Sequence, residues 1–159
     1  MNIKMSASQA PGTLQSVEEH TRATIKTLFA FLHAQGQGDY LGERVTQLEH
    51  SLQCADLATQ SVEYKNDPEV ILAALLHDVG RFIPAAEKMD KMITPDGQYV
   101  GRMSHEILGE SYLRQIGFSE RVCKLVGAHV MAKRYLVATD KTYHDGLSET
   151  SKRTLRFQV

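Results

Sequence analysis

The sequence predicts an all-α domain, a helical bundle of about six helices, and three observations support this fold class. Apolar residues recur at helical spacing through most of the 159 residues. Capping residues and glycines divide this pattern into segments of helical length. No convincing pair of strands is present. The composition, 42% hydrophobic and 23% charged, is that of a globular domain long enough to bury a core.

The first three predicted helices follow from periodicity and capping. The first covers 16–33, and its apolar stripe is formed by Val17, Thr21, Ile25, Leu28 and Leu32. The glycine-rich segment "AQGQGDYLGE" ends it, and a second helix covers about 43–62. Asp67 is the predicted N-cap of a third helix, which starts at Pro68 and stops at Gly80.

The helical pattern is interrupted at 82–103, which contains two prolines and two glycines. We expect a long excursion over the surface here, of the kind that often forms a functional lid. Helices resume at 104–116 and at about 120–136, and Ser148 is the predicted cap of a last helix.

Composition excludes several classes of protein. The net charge of −1 and the lack of a basic run argue against a nucleic acid or a membrane surface as partner. The longest apolar run, "VILAALL", is too short to span a bilayer. Residues 1–15 lack an apolar signal core and are expected to form a flexible leader, so 16–159 would be a single domain. Cys54 and Cys123 are interpreted as reduced, buried packing residues, and a cytoplasmic location follows.

Four of the seven histidines form a candidate metal site. His77 and Asp78 end an apolar run, where burying both groups is costly unless a metal ion pairs them. His50, His105 and His129 each lie in or at the end of a different predicted helix, and Asp78 has two oxygens with which to bridge two ions. Any one of these histidines alone would more often be a hydrogen-bonded core residue. Surface positions are expected for the others, His20, His33 and His144.

These residues resemble a known family. The pattern of His50 followed by His77–Asp78 is similar to the HD-domain superfamily of helical metalloproteins, most of which hydrolyse phosphate esters. The segments "DYLGERVTQLEHSLQCA", "LAALLHDVG", "HEILGESYLRQIGFSERV" and "HVMAKRYLV" resemble one branch, the HD-domain mixed-valent diiron oxygenases of phosphonate breakdown. This similarity extends from about residue 38 to 158 and implies a non-haem diiron oxygenase with two iron ions, Fe(II) and Fe(III).

The resemblance also implies a reaction and a ligand set. The substrates would be O2 and a 1-hydroxy-2-aminoalkylphosphonate, whose carbon–phosphorus bond is cleaved to give inorganic phosphate and an amino acid or betaine. Asp78 would bridge the two irons. One iron would also be held by His105 and His129, and the other by His50 and His77.

Five further residues take roles only through the resemblance. Lys133, Ser151 and Gln158 match residues that bind the phosphonate. Tyr40 matches a tyrosine that occupies iron before the substrate arrives, and Glu43 matches a glutamate that meets the substrate's amino group. Without the resemblance, these residues would be interpreted as a solvated lysine, a first-turn serine, a tail residue, a packing aromatic and a first-turn acid.

The family pattern continues beyond the position of Gln158, with one more metal-ligating aspartate and an arginine for the phosphonate. Because the sequence stops at Val159, we expect a domain that is C-terminally short relative to the family. Asp140 and Asp145 are weak candidates for the aspartate's role. Two alternatives stay open, a metal-dependent HD-domain phosphohydrolase and a truncated, inactive relative. A second copy of the chain is a candidate partner, since a homodimer would cover apolar surface.

Overall fold

The computed structural model describes residues 14–41, 43–81 and 83–158. Within these residues the chain forms seven α-helices and one short β-hairpin, which confirms the predicted all-α fold class. The helices are α1 Leu14–Gln35, α2 Gln47–Gln60, α3 Pro68–Leu76, α4 His105–Gln115, α5 Glu120–Thr139, α6 Lys141–Gly146 and α7 Glu149–Leu155. Of the predicted leader, residues 1–13 lie outside the described residues.

Side-chain caps fix where the helices begin. Thr46 and Glu49 form a reciprocal capping box, so α2 begins at Gln47 and the prediction of a start near residue 43 was wrong. The predicted caps of α3, α5 and α7 are confirmed: their side chains accept backbone hydrogen bonds from the first turn of each helix, and they are Asp67, Ser119 and Ser148.

The core lies where α3, α4 and α5 pack together. Leu76, Leu113 and Val126 have no exposed surface, and burying each such side chain contributes about 1.5–3 kcal/mol. From α1, the core receives only the C-terminal half of the predicted stripe, Leu28 and Leu32. The N-terminal half of that stripe is exposed at Val17 and Ile25.

The segment 82–103 is more ordered than the sequence predicts. Two 3-10 turns, Val79–Arg81 and Pro84–Lys88, lead into an antiparallel hairpin of β1 Lys91–Ile93 and β2 Tyr99–Arg102. The prediction of a strand-free surface excursion was therefore wrong. Both strands bury a side chain towards the core, since Met92 and Val100 are at most 4% exposed. Strands of three and four residues are too short to show a recognisable alternation.

Helix α6 lies where the sequence predicted only a connection to the last helix. The Asp140 carboxylate accepts hydrogen bonds from the backbone N–H groups of Thr142 and Tyr143, and it thereby starts α6. Asp145 forms an ion pair with Lys141 at 2.5 Å. Both aspartates are thus engaged within α6, and neither belongs to a cluster of potential metal ligands among the described residues. Over the same part of the chain, no helix has both the length and the apolar character that a membrane span requires.

Candidate metal centre

The structure brings the five predicted metal ligands together around a buried carboxylate. Asp78 is 1% exposed, and each of its oxygens faces one pair of histidines. Oδ1 lies 3.2 Å from Nε2 of His105 and 3.6 Å from Nε2 of His129. Oδ2 lies 3.5 Å from Nε2 of His77 and 4.0 Å from Nε2 of His50. The carboxylate is therefore placed between two separate histidine pairs.

The tautomer of three of these histidines follows from their hydrogen bonds. Nδ1 of His77, His105 and His129 lies 2.7–3.2 Å from the carbonyl oxygen three residues earlier in its own chain segment. Since a carbonyl oxygen can only accept, each Nδ1 must donate a proton, and in the neutral ring Nε2 then presents a lone pair. In metal sites, a hydrogen bond of this kind from the other ring nitrogen fixes the orientation of the imidazole that binds the metal.

The contact between His105 and His129 joins two acceptors, which only a proton or a cation can satisfy. Nε2 of His105 and Nε2 of His129 are 3.2 Å apart, and the same distance separates Nε2 of His50 from Nε2 of His77. Two nitrogen ligands about 2.1 Å from one ion, with about 100° between them, lie about 3.2 Å apart. The donor set and its spacing therefore fit two metal ions that share Asp78.

Arg81 is the cation nearest to this carboxylate. Its Nε lies 2.8 Å from Asp78 Oδ1, as an ion pair whose side chains are 8% and 2% exposed. The contact is close, but neither Asp78 oxygen accepts a hydrogen bond from the described residues. Burial opposes ionisation of Asp78, yet Arg81 and His77 outweigh it and hold the pKa of the carboxyl well below its usual range. Asp78 is therefore an anion that still has room for metal ligation.

A close approach of two glycines sets the distance between Asp78 and His105. A Cβ added at Gly80 would lie 1.9 Å from the carbonyl oxygen of His105 and 2.7 Å from the backbone nitrogen of Gly109. The turn that follows Asp78 therefore rests directly on the first turn of α4, and α4 begins with His105. The sequence suggested only that Gly80 ends a helix, whereas its lack of a side chain is what allows this contact.

A cavity of about 290 Å3 opens onto one side of the histidine cluster. Its wall includes four of the five residues that the resemblance assigns to substrate or gating, namely Tyr40, Lys133, Ser151 and Gln158. Tyr40 is buried and stacks on the His50 ring with 3.9 Å between centroids and 16° between planes. Burial and the charge of Asp78 raise the pKa of the Tyr40 hydroxyl.

Lys133 contributes positive charge to the cavity. Its Nζ donates to the backbone carbonyl of Ser151 at 3.4 Å, and burial lowers the pKa of the ammonium, with Arg81 adding to the effect. The Oε1 atom of Gln158 is buried and has no hydrogen-bond partner within the described ranges. A cation and an unpaired amide oxygen thus lie in the same wall as the candidate metal ligands.

Glu43 is placed differently, since it is absent from the cavity wall. Its Oε1 accepts a hydrogen bond of 2.5 Å from the hydroxyl of Ser148, the N-cap of α7. That hydroxyl also accepts from the backbone nitrogen of Ser151 at 3.1 Å. Glu43 therefore connects the loop that carries Tyr40 to the helix that carries Ser151.

Sequence reasoning missed four residues of the cavity wall: the apolar Leu147 and three residues with polar groups, namely Cys54, Arg81 and Tyr143. Cys54 is unpaired, as predicted, but it is half-buried beside His50 rather than packed in the core, unlike the fully buried Cys123. Its spacing of four residues from His50 could have indicated a shared helix face. The spacing of three residues between Asp78 and Arg81 is a similar signal that two side chains lie close together. Tyr143 had none, because α6 was not predicted.

Comparisons with known proteins identify the family of this chain. The model of the HD domain family matches residues 48–149. A protein of Acanthamoeba polyphaga mimivirus, named only as uncharacterized, is 38% identical over 134 residues, which are 84% of this chain and 58% of that protein.

Two similar proteins carry functional names. The hydroxymethylphosphonate dioxygenase of Gimesia maris is 37% identical over 135 residues, 84% of this chain and 62% of that protein. The [1-hydroxy-2-(trimethylamino)ethyl]phosphonate dioxygenase (glycine-betaine-forming) of Leisingera caerulea is 40% identical over 124 residues, 78% of this chain and 58% of that protein. The chain thus spans 58–62% of the length of these relatives. The chain belongs to the HD-domain family, and its similarity to these two dioxygenases confirms the predicted resemblance to the HD-domain phosphonate oxygenases.

Proposed function

We propose that this chain is the HD domain of a non-haem diiron oxygenase that cleaves the carbon–phosphorus bond of a 1-hydroxyalkylphosphonate with O2. The observation that carries the proposal is the Asp78 carboxylate, which presents one oxygen to each of two histidine pairs. The two named relatives support the substrate class, because both names describe a phosphonate with a hydroxyl on the carbon next to phosphorus.

The proposed reaction balances with one molecule of O2. The substrate R–CH(OH)–PO3H2 and O2 together contain the atoms of R–COOH and phosphoric acid, so no external reductant is consumed. A 2-amino substrate would give an amino acid, and a trimethylated amine would give a betaine. Two iron ions, Fe(II) and Fe(III), would supply O2 activation and Lewis-acid binding of the substrate's oxygens.

The cavity wall supplies the groups that a phosphonate requires. The Lys133 ammonium attracts the dianion as a point charge, in a site where burial strengthens the interaction. Ser151 and Gln158 add hydrogen-bonding groups along the same wall. Tyr40, which stacks on His50, would cover the metal position beside that histidine until the substrate arrives, as a gating residue does.

Whether Glu43 takes part in substrate binding depends on the group that the substrate carries at its second carbon. A carboxylate suits an ammonium group, whereas hydroxymethylphosphonate has no second carbon and no amine. Since Glu43 is held by Ser148 and does not line the cavity, an amine would have to draw it from that hydrogen bond. We therefore propose a 1-hydroxy-2-aminoalkylphosphonate as the substrate if Glu43 acts, and a simpler 1-hydroxyalkylphosphonate if it does not.

The experiment combines metal analysis with a product assay. Protein purified without oxygen or chelator is expected to hold about two irons per chain by mass spectrometry. Phosphate release from hydroxymethylphosphonate, 1-hydroxy-2-aminoethylphosphonate and its trimethylated form is then followed by 31P NMR, with and without O2. Release that requires O2 supports the proposal. Release from phosphate esters without O2 would identify a phosphohydrolase instead, and no turnover of either class would identify an inactive relative.

A further inference from the structure

The Cys54 thiol is an unassigned donor beside the His50–His77 pair. Cys54 lies four residues after His50 on α2, so both side chains project from the same face of that helix. Its Sγ is 3.7 Å from Nε2 of His50, and Cys54, His50 and His77 offer ligand atoms that all lie within 4.8 Å of one another. Asp78 Oδ2, buried and without a hydrogen-bond partner among the described residues, faces the same two histidines.

The sulfur–nitrogen distance matches ligation of one ion by both atoms. A thiolate at about 2.3 Å and an imidazole nitrogen at about 2.1 Å from one ion, with about 110–115° between them, lie about 3.6–3.7 Å apart. This separation is the observed one. His105 and His129 on the other side of Asp78 have no corresponding cysteine in their cluster of described ligands.

We propose that Cys54 is a thiolate ligand of the metal ion held by His50 and His77, so that this half of the centre binds thiophilic divalent cations such as Zn2+ or Co2+ in addition to the iron of the proposed function. The inference rests on the proposed function and adds one ligand to its metal centre. On binding, the Cys54 S–H proton is released to solvent and a metal–sulfur bond forms, with no change of oxidation state. The other half of the centre, with imidazole and carboxylate only, lacks this preference for soft metals.

The test uses Co2+ alone with the metal-free chain, held under argon with a reductant that contains no thiol. Co2+ reports its ligands optically: visible d–d bands show a bound ion, and a near-ultraviolet charge-transfer band shows a cobalt–sulfur bond. We expect both signals in the unaltered chain. Cys54→Ala is expected to abolish the charge-transfer band, to keep visible bands, and to weaken binding of one Co2+ by tenfold or more.

Cys123→Ala is the matched control, because it removes the other cysteine, which is fully buried and lies outside the cavity. This variant is expected to keep the charge-transfer band. Alkylation of Cys54 provides a second readout, and Co2+ is expected to slow it at least tenfold.

The outcomes separate this inference from the proposed function. Visible bands without a charge-transfer band in the unaltered chain would overturn ligation by Cys54 and leave the histidine–aspartate centre standing. A charge-transfer band that persists in Cys54→Ala would also overturn it. Failure of the chain to bind Co2+ at all would overturn both this inference and the metal centre behind the proposed oxygenase.

Discussion

Replacing Gly80 by alanine is expected to damage both the stability of the fold and the metal centre. The new Cβ would lie 1.9 Å from the carbonyl oxygen of His105, whereas ordinary contacts of this kind begin at 3.4 Å. Relief therefore requires a movement of about 1.5 Å between the turn after Asp78 and the first turn of α4. The clashing atoms belong to the backbone, so no side chain can rotate away.

The energetic cost follows from this displacement. Overpacked cores lose about 1–3 kcal/mol, and a clash with backbone belongs at or above the upper end of that range. With a urea m-value of about 2 kcal/mol/M, a loss of about 3 kcal/mol lowers the unfolding midpoint by about 1.5 M. A shift of about 1.5 Å at His105 also far exceeds the tolerance of about 0.2 Å in ligand distances, so metal affinity should fall as well.

Urea unfolding followed by circular dichroism, together with Co2+ titration, measures both effects. Gly38→Ala is the matched control, since a Cβ there meets nothing within 4 Å and should change the free energy of unfolding by less than about 0.5 kcal/mol. The reasoning is refuted if Gly80→Ala unfolds at the same urea concentration as the control and binds Co2+ with unaltered affinity.

Three further predictions concern charge. Lys133→Ala should weaken phosphonate binding about 10–100-fold at unchanged iron content, because a charge-assisted contact worth about 1.5–3 kcal/mol is lost; KM and metal analysis measure this. Glu43→Ala should impair substrates with an amine most, which relative kcat/KM values on hydroxymethylphosphonate and its amino analogue will show. The metal-free chain should lose stability as the pH falls from about 6.5 to 4. Burial lowers the pKa of His50 to about 4 and of His129 to about 3, so the unfolded chain takes up protons that these folded rings do not. His77 shifts in the opposite direction and offsets only part of this loss. Urea midpoints at several pH values test it.

Each of these predictions has a contradicting result, and the prediction for Lys133 also has a control variant. Lys124→Ala alters an exposed lysine on the same helix and should leave KM unchanged; a loss of iron in Lys133→Ala would make that lysine structural. Equal losses on both substrates in Glu43→Ala would remove its assignment to the amine. For the pH effect, a midpoint that stays constant between pH 6.5 and 4 would contradict the prediction.

Much of the fold was predictable because its signals are local. Asp67, Ser119 and Ser148 each cap a helix through contacts with the next three residues, and contacts of this kind can be predicted from the sequence. The hairpin and α6 were missed because strands and helices this short show no full hydrophobic period. Their positions depend on packing of residues such as Met92 against the rest of the chain.

The candidate site was predictable to the extent that its residues match a family pattern. That pattern includes His77–Asp78, but the roles it assigns do not extend to Cys54, four residues after His50, or to Arg81, three residues after Asp78. The role of Gly80 was also hidden, because a glycine at a helix end is usually explained by backbone conformation. Only the approach of a distant helix shows that its missing side chain is needed.

The hydrogen bonds from Glu43 through Ser148 to Ser151 and Lys133 have a consequence for substrate selection. Under the proposed role of Glu43, a substrate amine that drew Glu43 away would free the Ser148 hydroxyl, and the same hydroxyl caps the helix whose carbonyl holds the Lys133 ammonium. Recognition of the amine and recognition of the phosphonate would then be thermodynamically coupled, and coupling of this kind is reciprocal. The binding free energy of a substrate with both groups would therefore differ from the sum of the contributions that the amine and the phosphonate make separately. The difference is the coupling free energy between the two binding groups.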